Sequence, residues 1–87
     1  MIREVLLSGR AERDLRDLPR DRQDRVRTAL LEFARSGRGD LKRLGGTKGR
    51  EDLFRMRVGD YRVVFALTST EVKVTRIIHR REGYDWL

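Results

Sequence analysis

Apolar residues in the first part of the chain recur at helical spacing after one short apolar run. Residues 2–7, "IREVLL", are rich in β-branched and aliphatic side chains and predict a first strand. Ser8 has a side-chain oxygen suited to cap a helix that begins directly after it. The apolar face of this helix, over "GRAERDLRDL", holds Ala11, Leu15 and Leu18. Pro19 ends this helix or starts the next one.

A second helix is predicted over "RDRQDRVRTALLEFAR". Its apolar positions, three and four residues apart, are Val26, Ala29, Leu30 and Phe33. Gly37 is a suitable C-cap, because glycine readily adopts the left-handed conformation that ends many helices. The charges on the helices alternate in sign, which is typical of a solvated face. We therefore assign helix-surface residues such as Arg16, Arg20 and Arg27 to solvent.

Beyond position 50 the period of the apolar positions changes to two. Residues 51–58, 61–67 and 72–79 are predicted to form three strands of a meander, preceded by the turn-rich, basic segment "SGRGDLKRLGGTKGR". Residues 1–87 are therefore predicted to form a single α+β domain of order β-α-α-β-β-β. Two N-terminal helices pack on one face of a small, mainly antiparallel four-stranded sheet, and the other face stays at least partly open.

The first predicted hairpin separates arginines from apolar residues. If Gly59 and Asp60 form a two-residue loop, Val58 pairs with Tyr61 and Arg57 pairs with Arg62. The apolar face then holds Phe54, Met56, Val58, Tyr61, Val63 and Phe65. The opposite face holds Arg55, Arg57 and Arg62. Like charges opposite each other are destabilising, so this face gains nothing from its arginines unless an anion binds there.

The second predicted hairpin needs an irregularity to keep its apolar residues together. A Thr68-Ser69 loop places Phe65 opposite Val72, but strict alternation then puts Arg76 on the apolar face. A one-residue bulge near position 76 corrects this and also turns Arg80 onto the arginine face. The alternative is a solvated face on which the arginines pair with acids such as Glu51 or Glu71.

The charge of the chain is uneven. Its net charge is +7, and eighteen of its 21 basic residues are arginine. Residues 41–87 hold eleven basic and six acidic side chains, against ten and eight in residues 1–40. This excess favours a nucleic acid or an acidic protein as partner, and guanidinium groups match phosphate oxygens well. A biased genome composition is an alternative source of the arginines, but it does not explain where they lie.

Several classes of protein are disfavoured by the composition. There is no cysteine and only one histidine, so we expect no metal site and no cofactor. No apolar run approaches the roughly 20 residues that span a bilayer, and the N-terminal segment does not resemble a signal peptide. The sequence therefore predicts a soluble, cytoplasmic protein with no membrane partner.

Basic residues at both ends of the sheet are candidates for RNA binding. The segment before the first meander strand contributes Lys42, Arg43, Lys48 and Arg50. The tail "HRREGYDWL" contributes His79, Arg80 and Arg81, together with two aromatic residues. Arginines interleaved with aromatic residues suit a splayed single strand, whose bases stack and whose phosphates form ion pairs.

Three strings, "LKRLGG", "DLFRMRVGDYRVVF" and "VTRIIHRREGY", together resemble the RelE/ParE superfamily of toxins from prokaryotic toxin–antitoxin pairs. The "RVGDYRVV" hairpin and the "HRREGY" ending are the most specific parts. The resemblance extends from "ERDLRDLP" through Tyr84 and implies the fold described above. RelE-like members are mRNA endonucleases that usually act in the ribosomal A site, whereas ParE-like members poison DNA gyrase and lack the nuclease residues.

The resemblance implies catalytic positions that this chain fills with Arg55, Arg57, Arg62, Arg80 and Tyr84, which favours the nuclease branch. The pair before the hairpin is often lysine in the family. Arginine effectively cannot lose its proton, so Arg55 and Arg57 cannot act as the base. Tyr84 is the candidate that orients or deprotonates the 2′-OH; stacking on a base or sealing the core edge are its alternatives. His79 ranks below it.

Three functions remain open from the sequence: a ribosome-dependent mRNA endonuclease, a gyrase poison, and a non-catalytic basic nucleic-acid-binding module. In the first, the 2′-OH attacks the adjacent phosphate without a metal, and the arginines stabilise the charge that develops. The resemblance implies that the ribosome positions the mRNA substrate. It also implies a neutralising antitoxin, which we expect to present an acidic or amphipathic helix.

Overall fold

The computed structural model of the chain describes residues 2–45 and 52–83. Its elements are two helices and five strands. In chain order they are β1 (Glu4–Leu7), α1 (Gly9–Arg16), α2 (Arg20–Ser36), β2 (Asp40–Gly45), β3 (Leu53–Val58), β4 (Tyr61–Leu67) and β5 (Glu71–His79). No helix in these ranges is long and apolar enough to cross a membrane.

The strands form one mixed sheet in the order β1-β5-β4-β3-β2. β1 runs parallel to β5, and the other neighbours are antiparallel. The predicted α+β fold is confirmed, but the sheet has five strands instead of four. The additional strand is β2, which lies in the segment predicted as a turn-rich loop. It is an edge strand, and its mainly exposed, charged residues obscured its pairing with β3.

Both helices begin at the predicted residues and α2 ends at the predicted Gly37 cap, whereas α1 ends at Arg16, two residues before the predicted end. The Ser8 hydroxyl oxygen accepts a hydrogen bond from the Ala11 N–H at 3.0 Å and caps α1. Pro19 is the N-cap of α2. Gly37 ends α2 in the left-handed conformation, with φ of 77°. Because α1 and α2 are only three residues apart, both lie against the same face of the sheet.

The core lies between the helices and this face of the sheet. Phe65 is fully buried at its centre, with ring centroids 5.2 Å from Phe33 of α2 and 5.9 Å from Phe54 of β3. The buried residues of this cluster are Ala11, Leu15, Val26, Leu30, Phe33, Ala34, Met56, Val63, Phe65, Val72, Val74 and Ile77. Most of the residues that the sequence assigned to this face are therefore confirmed.

The opposite face of the sheet is not open at its middle. Val64 and Ile78 are almost completely buried, although neither belongs to the helix-side cluster. Each lies beside an arginine across the sheet: Val64 is paired with Arg55, and Ile78 is paired with Arg62. This face is therefore apolar at its centre, and its arginines surround the buried residues.

The first hairpin has the predicted register. Val58 pairs with Tyr61 and Arg57 pairs with Arg62 across a two-residue turn, in which Gly59 has φ of 58°. Only a residue that tolerates the left-handed region fits at Gly59, which explains this tight turn.

For the second hairpin, the predicted register was wrong, but the predicted bulge is present. Phe65 pairs with Val74 instead of Val72, because the connection is longer than the predicted Thr68-Ser69 loop. The Thr68 hydroxyl oxygen accepts hydrogen bonds from the Glu71 and Thr70 N–H groups and stabilises this longer loop. The predicted bulge is present: Thr75 is the extra residue between Val74 and Arg76, and Ile77 returns to the core.

Ser8 connects the end of β1 to both α1 and β5. Besides capping α1, its hydroxyl donates a hydrogen bond of 2.9 Å to the Thr75 carbonyl oxygen at the bulge. We expect Ser8→Ala to lower the free energy of unfolding by about 1–2 kcal/mol, since a cap and a second hydrogen bond are both lost. Urea unfolding followed by circular dichroism measures this change. Ser69→Ala, in the exposed β4–β5 loop, is the control, and an equal loss there would contradict the capping role.

Candidate functional site

Three of the predicted catalytic arginines meet at one end of the sheet. Arg57, Arg62 and Arg80 line a recess of about 260 Å³, together with Gly59 and Tyr61. We call this the arginine recess. It lies at the turn of the β3–β4 hairpin, beside the end of β5. Residues that are far apart in the sequence therefore converge as the face analysis predicted.

Each arginine reaches the recess by a different backbone feature. Arg57 and Arg62 face each other directly across β3 and β4. Arg80 follows the end of β5, and the bulge at Thr75 sets the face on which it lies. The Arg80 N–H donates a hydrogen bond of 2.7 Å to the Asp60 carbonyl oxygen, and its Nε lies 3.7 Å from Asp60 Oδ1. The hairpin turn thus holds Arg80 beside the other two.

The arginine recess favours an anion. Arg57 is exposed, and its side chain forms no hydrogen bond or ion pair with another described residue. Arg62, its directly opposed neighbour, is half-buried. Two like charges opposite each other destabilise a sheet by some tenths of a kcal/mol to about 1 kcal/mol. A phosphate group between them removes that repulsion, and guanidinium groups bind it by charge-assisted hydrogen bonds.

Arg55 lies on the predicted face but does not line the arginine recess. Its side chain is only 13% exposed, and its Nη1 lies 3.8 Å from Asp40 Oδ1 of β2. That nitrogen is buried and has no hydrogen-bond partner among the described residues. Asp40 therefore partly neutralises Arg55.

The two basic residues of β2 have different surroundings. Lys42 is exposed and lies directly opposite Arg55, so it extends the arginine face. Arg43 forms an ion pair with Asp52. Lys48, Arg50 and Tyr84 lie outside the described residues, so the roles predicted for them stay predictions.

His79 and Arg81 belong to a turn that follows β5. The Glu82 N–H donates a hydrogen bond of 2.9 Å to the His79 carbonyl oxygen and closes the turn. The His79 ring contacts the Tyr61 ring edge-on, with centroids 5.5 Å apart, and its Nδ1 accepts a hydrogen bond from the Arg81 N–H. Arg81 is exposed at the corner of the turn, beside Arg80. His79 itself lines the helix side of the sheet and not the arginine recess.

Sequence analysis missed two residues beside the arginine recess. Tyr61 was assigned to the apolar core, but it is half-buried and lines the recess because it lies next to the hairpin turn. Arg25 of α2 was not considered. Its guanidinium lies over the turn, such that a Cβ at Gly59 would be 3.5 Å from Arg25 Nη1. No sequence pattern distinguishes Arg25 from its solvated neighbours, because only the tertiary fold brings α2 to the turn.

A second charged cluster, at Asp14 of α1, holds the last part of β5. Asp14 Oδ2 accepts hydrogen bonds from Arg76 Nε at 2.8 Å and from the Ile77 N–H at 2.9 Å. Arg10 Nε lies 3.2 Å from Asp14 Oδ1. Burial alone raises the pKa of the Asp14 carboxyl, but the bonds from Arg76 and Ile77, the Arg76 charge and the Arg10 bond outweigh it. The pKa of Asp14 therefore lies below its ordinary value.

The low pKa of Asp14 predicts that this cluster loses its stabilising effect in acid. A carboxyl with a depressed folded-state pKa contributes fully above its unfolded-state pKa of about 3.9, and less as the pH falls through the folded-state value. We expect the difference in unfolding free energy between the wild type and Asp14→Asn to be largest near neutral pH. It should shrink below about pH 4. Urea unfolding at a series of pH values measures it, and a difference that does not change with pH would contradict the ionised form.

Metal ligands are not grouped in the part of the chain that the structure describes. Residues 2–45 and 52–83 contain no cluster of three or more histidine, aspartate or glutamate side chains that could hold a metal ion. The arginine side chains that line the arginine recess offer fixed positive charges and hydrogen-bond donors.

The chain matches a known family of proteins over most of its length. Residues 5–84 match the family model described as the ParE toxin of type II toxin–antitoxin system, parDE. The chain belongs to this family, within the RelE/ParE superfamily of toxins.

Individual relatives place the chain among RelE-like toxins of toxin–antitoxin pairs. It is similar to Toxin RelE3 of Methanocaldococcus jannaschii, with 26% identity over 95% of this chain and 97% of that protein. The archaeal RelE–RelB complex from Pyrococcus horikoshii contains a chain with a TM-score of 0.77 and 25% identity, covering 95% of this chain and 100% of that one. The toxin–antitoxin complex RelBE2 from Mycobacterium tuberculosis gives a TM-score of 0.63 and 29% identity, covering 92% and 100%.

Proposed function

We propose that this chain is a ribosome-dependent mRNA endonuclease, which acts by attack of a ribose 2′-OH on the adjacent phosphate. The observation that carries this proposal is the convergence of Arg57, Arg62 and Arg80 on one recess. Three guanidinium groups surround a recess large enough for a phosphate group. Their positive charges can stabilise the negative charge that develops on the phosphate during the reaction. The similarity to RelE toxins supports the same branch of the superfamily.

The reaction requires three tasks, and the recess supplies two of them. The 2′-oxygen forms a bond to phosphorus as the bond to the 5′-oxygen breaks, and the leaving oxygen takes a proton from water, which yields a 2′,3′-cyclic phosphate and a free 5′-hydroxyl. Arg57 and Arg62 are placed to stabilise the extra negative charge of the phosphorane. Arg80, on the Asp60 side of the recess, is placed to stabilise the leaving 5′-oxygen. Arg55 adds a weaker field, because Asp40 offsets its charge.

The third task, removal of the 2′-OH proton, falls to a residue other than an arginine. Guanidinium groups do not deprotonate in proteins, so none of the recess arginines is the base. Tyr84 is proposed for this role, as base or as the group that orients the 2′-OH.

Two partners are proposed on the same grounds. The set of catalytic groups lacks a paired acid and base of matched pKa, so positioning of mRNA by the ribosome in the A site would supply much of the rate. An antitoxin would neutralise the toxin, as in the RelE–RelB complexes to which the chain is similar. An acidic or amphipathic antitoxin segment would suit the arginine face. Because both proposed partners act in the cytoplasm, a cytoplasmic location is part of the same proposal.

Inducible expression in a bacterial host, with primer extension on a reporter mRNA, tests the proposal. We expect cuts within translated codons for the wild type, and their loss for Arg57→Ala, Arg80→Ala and Tyr84→Phe. Arg27→Ala is the matched control, since Arg27 is an exposed arginine of α2 that pairs with Asp24. Growth arrest with intact mRNA would reject the nuclease assignment, and equal cutting by all variants would reject the catalytic roles proposed for these residues.

A gyrase poison is the second candidate, because the matching family model carries the description of a ParE toxin. In this case the arginine face would be a docking surface instead of a catalytic one. Supercoiling by purified gyrase in the presence of the chain distinguishes the two functions. Gyrase inhibition without mRNA cuts would favour the ParE-like function. Salt-dependent RNA binding without either activity would indicate a non-catalytic binding module.

A further inference from the structure

We propose that Asp14 is a positioning residue that holds Arg80 in the arginine recess. The proposal rests on the proposed nuclease function, to which it adds a residue on α1 that does not line the recess. Asp14 acts through the contacts that hold β5 beyond its bulge.

β5 extends past the strand that pairs with it on one side. The parallel pairing with β1 ends at Leu7 and Val74, whereas β5 continues to His79. Beyond Val74, side chains of α1 and its cap take the place of β1. The Ser8 hydroxyl bonds to the Thr75 carbonyl oxygen, and the Asp14 carboxylate accepts from the Ile77 N–H at 2.9 Å. The Asp14 carboxylate therefore accepts the hydrogen bond that the Ile77 N–H would otherwise donate to a neighbouring strand.

The same carboxylate also holds the side chain of the preceding residue. Arg76 donates to Asp14 through Nε at 2.8 Å and through Nη2 at 3.4 Å. The two side chains are only 13% and 10% exposed, so this ion pair is shielded from solvent far more than the other ion pairs of α1 and α2. An ion pair in this environment fixes geometry well, because breaking it leaves a desolvated charge.

These contacts lie beside the bulge, which determines the face of the sheet on which the later residues of β5 lie. Thr75 is the extra residue of the bulge, and Arg76 and Ile77 follow it directly. Loss of the bulge would shift every later residue by one position and exchange its face of the sheet, including that of Arg80. By bonding to both Arg76 and Ile77, Asp14 holds the residues after the bulge in the arrangement that directs Arg80 toward Arg57 and Arg62.

A further contact extends from Arg76 to the turn that carries Arg80. Arg76 Nη2 lies 3.8 Å from Glu82 Oε2. Glu82 in turn accepts a hydrogen bond from the His79 N–H at 3.3 Å, and its own N–H closes the turn from His79 to Glu82. Arg80 and Arg81 are the two corner residues of this turn. Asp14 is thus connected to Arg80 both through the backbone of β5 and through Arg76 and Glu82.

A double-mutant cycle tests this role. Asp14→Asn keeps the shape of the side chain and an oxygen for the Ile77 N–H, but it weakens the bond to Arg76. We expect it to lower single-turnover cleavage of ribosome-bound mRNA by about 10- to 100-fold, as displacement of a reacting group does. In the Arg80→Ala background the same change should have no further effect, because Arg80 is already absent. Asp17→Asn, an exposed change on the same side of α1, is the matched control.

A second measurement does not depend on cleavage. The Arg80 N–H is bonded to the Asp60 carbonyl oxygen, and its hydrogen exchange can be followed by NMR. We expect Asp14→Asn to accelerate this exchange more than that of the Val63 N–H at the centre of β4, under conditions in which every variant is folded. Asp17→Asn should leave both rates unchanged.

The outcomes separate the two proposals. If the wild type cuts no mRNA, the proposed function fails, and the exchange measurement then decides the role of Asp14 alone. If Asp14→Asn lowers cleavage equally with and without Arg80, or accelerates exchange uniformly along the sheet, Asp14 has only a general stabilising role. The positioning proposal would then be overturned.

Discussion

Replacing Arg62 by alanine is expected to lower the rate of mRNA cleavage by about 100- to 1,000-fold, the usual cost of removing one fixed donor from a developing negative charge. Arg62 is the most enclosed member of the arginine recess, since it is half-buried while Arg57 and Arg80 are exposed. A charge with less solvent around it acts more strongly on a bound phosphate. The expected loss is therefore greater than for either neighbour.

The fold of the Arg62→Ala variant should survive, because the change removes the like charge opposite Arg57. Circular dichroism and urea unfolding check this, alongside primer extension on a reporter mRNA. Arg62→Lys keeps the positive charge but loses the two-pronged geometry, so it should recover only part of the rate. A cleavage rate of Arg62→Ala within about threefold of the wild-type rate would contradict a direct role in the reaction. Such a loss would be far smaller than the rate loss expected when a fixed donor is removed.

Replacing Phe65 by alanine is expected to lower the free energy of unfolding by about 3–5 kcal/mol, the usual range for a fully buried phenylalanine. Phe65 is 0% exposed, and its ring lies between those of Phe33 and Phe54. Alanine would leave a cavity between α2 and the sheet and would also lose both aromatic contacts. A domain of this size has a total stability of only about 5–15 kcal/mol, so a large part of it would be lost.

Thermal and urea unfolding of Phe65→Ala measure this loss directly. Leu31→Ala is the matched control, because Leu31 is a large apolar residue of α2 that is 63% exposed. It should change the stability by less than about 0.5 kcal/mol. If both variants lost a similar amount, the aromatic cluster would not be the centre of the core.

The part of the site that the sequence predicted correctly depends on local rules. A two-residue Gly59-Asp60 turn fixes the register of its hairpin. Counting residues outward from this turn then pairs Arg57 with Arg62. The bulge was predictable because strict alternation would have placed Arg76 in the core and Ile77 outside it. These inferences needed only the period of a strand and the polarity of the side chains.

The parts that the sequence did not predict depend on tertiary contacts. β2 has too few apolar residues to indicate a strand, and it exists because β3 offers it a free edge. The register of the second hairpin was wrong because the Thr68 hydroxyl stabilises a longer loop. The partial neutralisation of Arg55 by Asp40 follows from the pairing of β2 with β3, so it could not be foreseen without that strand.

The parallel pairing of β1 with β5 has a consequence for synthesis of the protein. Residues 4–7 pair with residues 71–74, so the first strand pairs with β5 only after most of the chain has been made. The N-terminal half cannot complete its sheet while the chain is still growing, and contacts between such distant residues form slowly. Arg80 enters the recess later still, since it follows β5. Under the proposed function, a nascent chain therefore lacks the complete arginine recess until β5 has been synthesised and has joined the sheet.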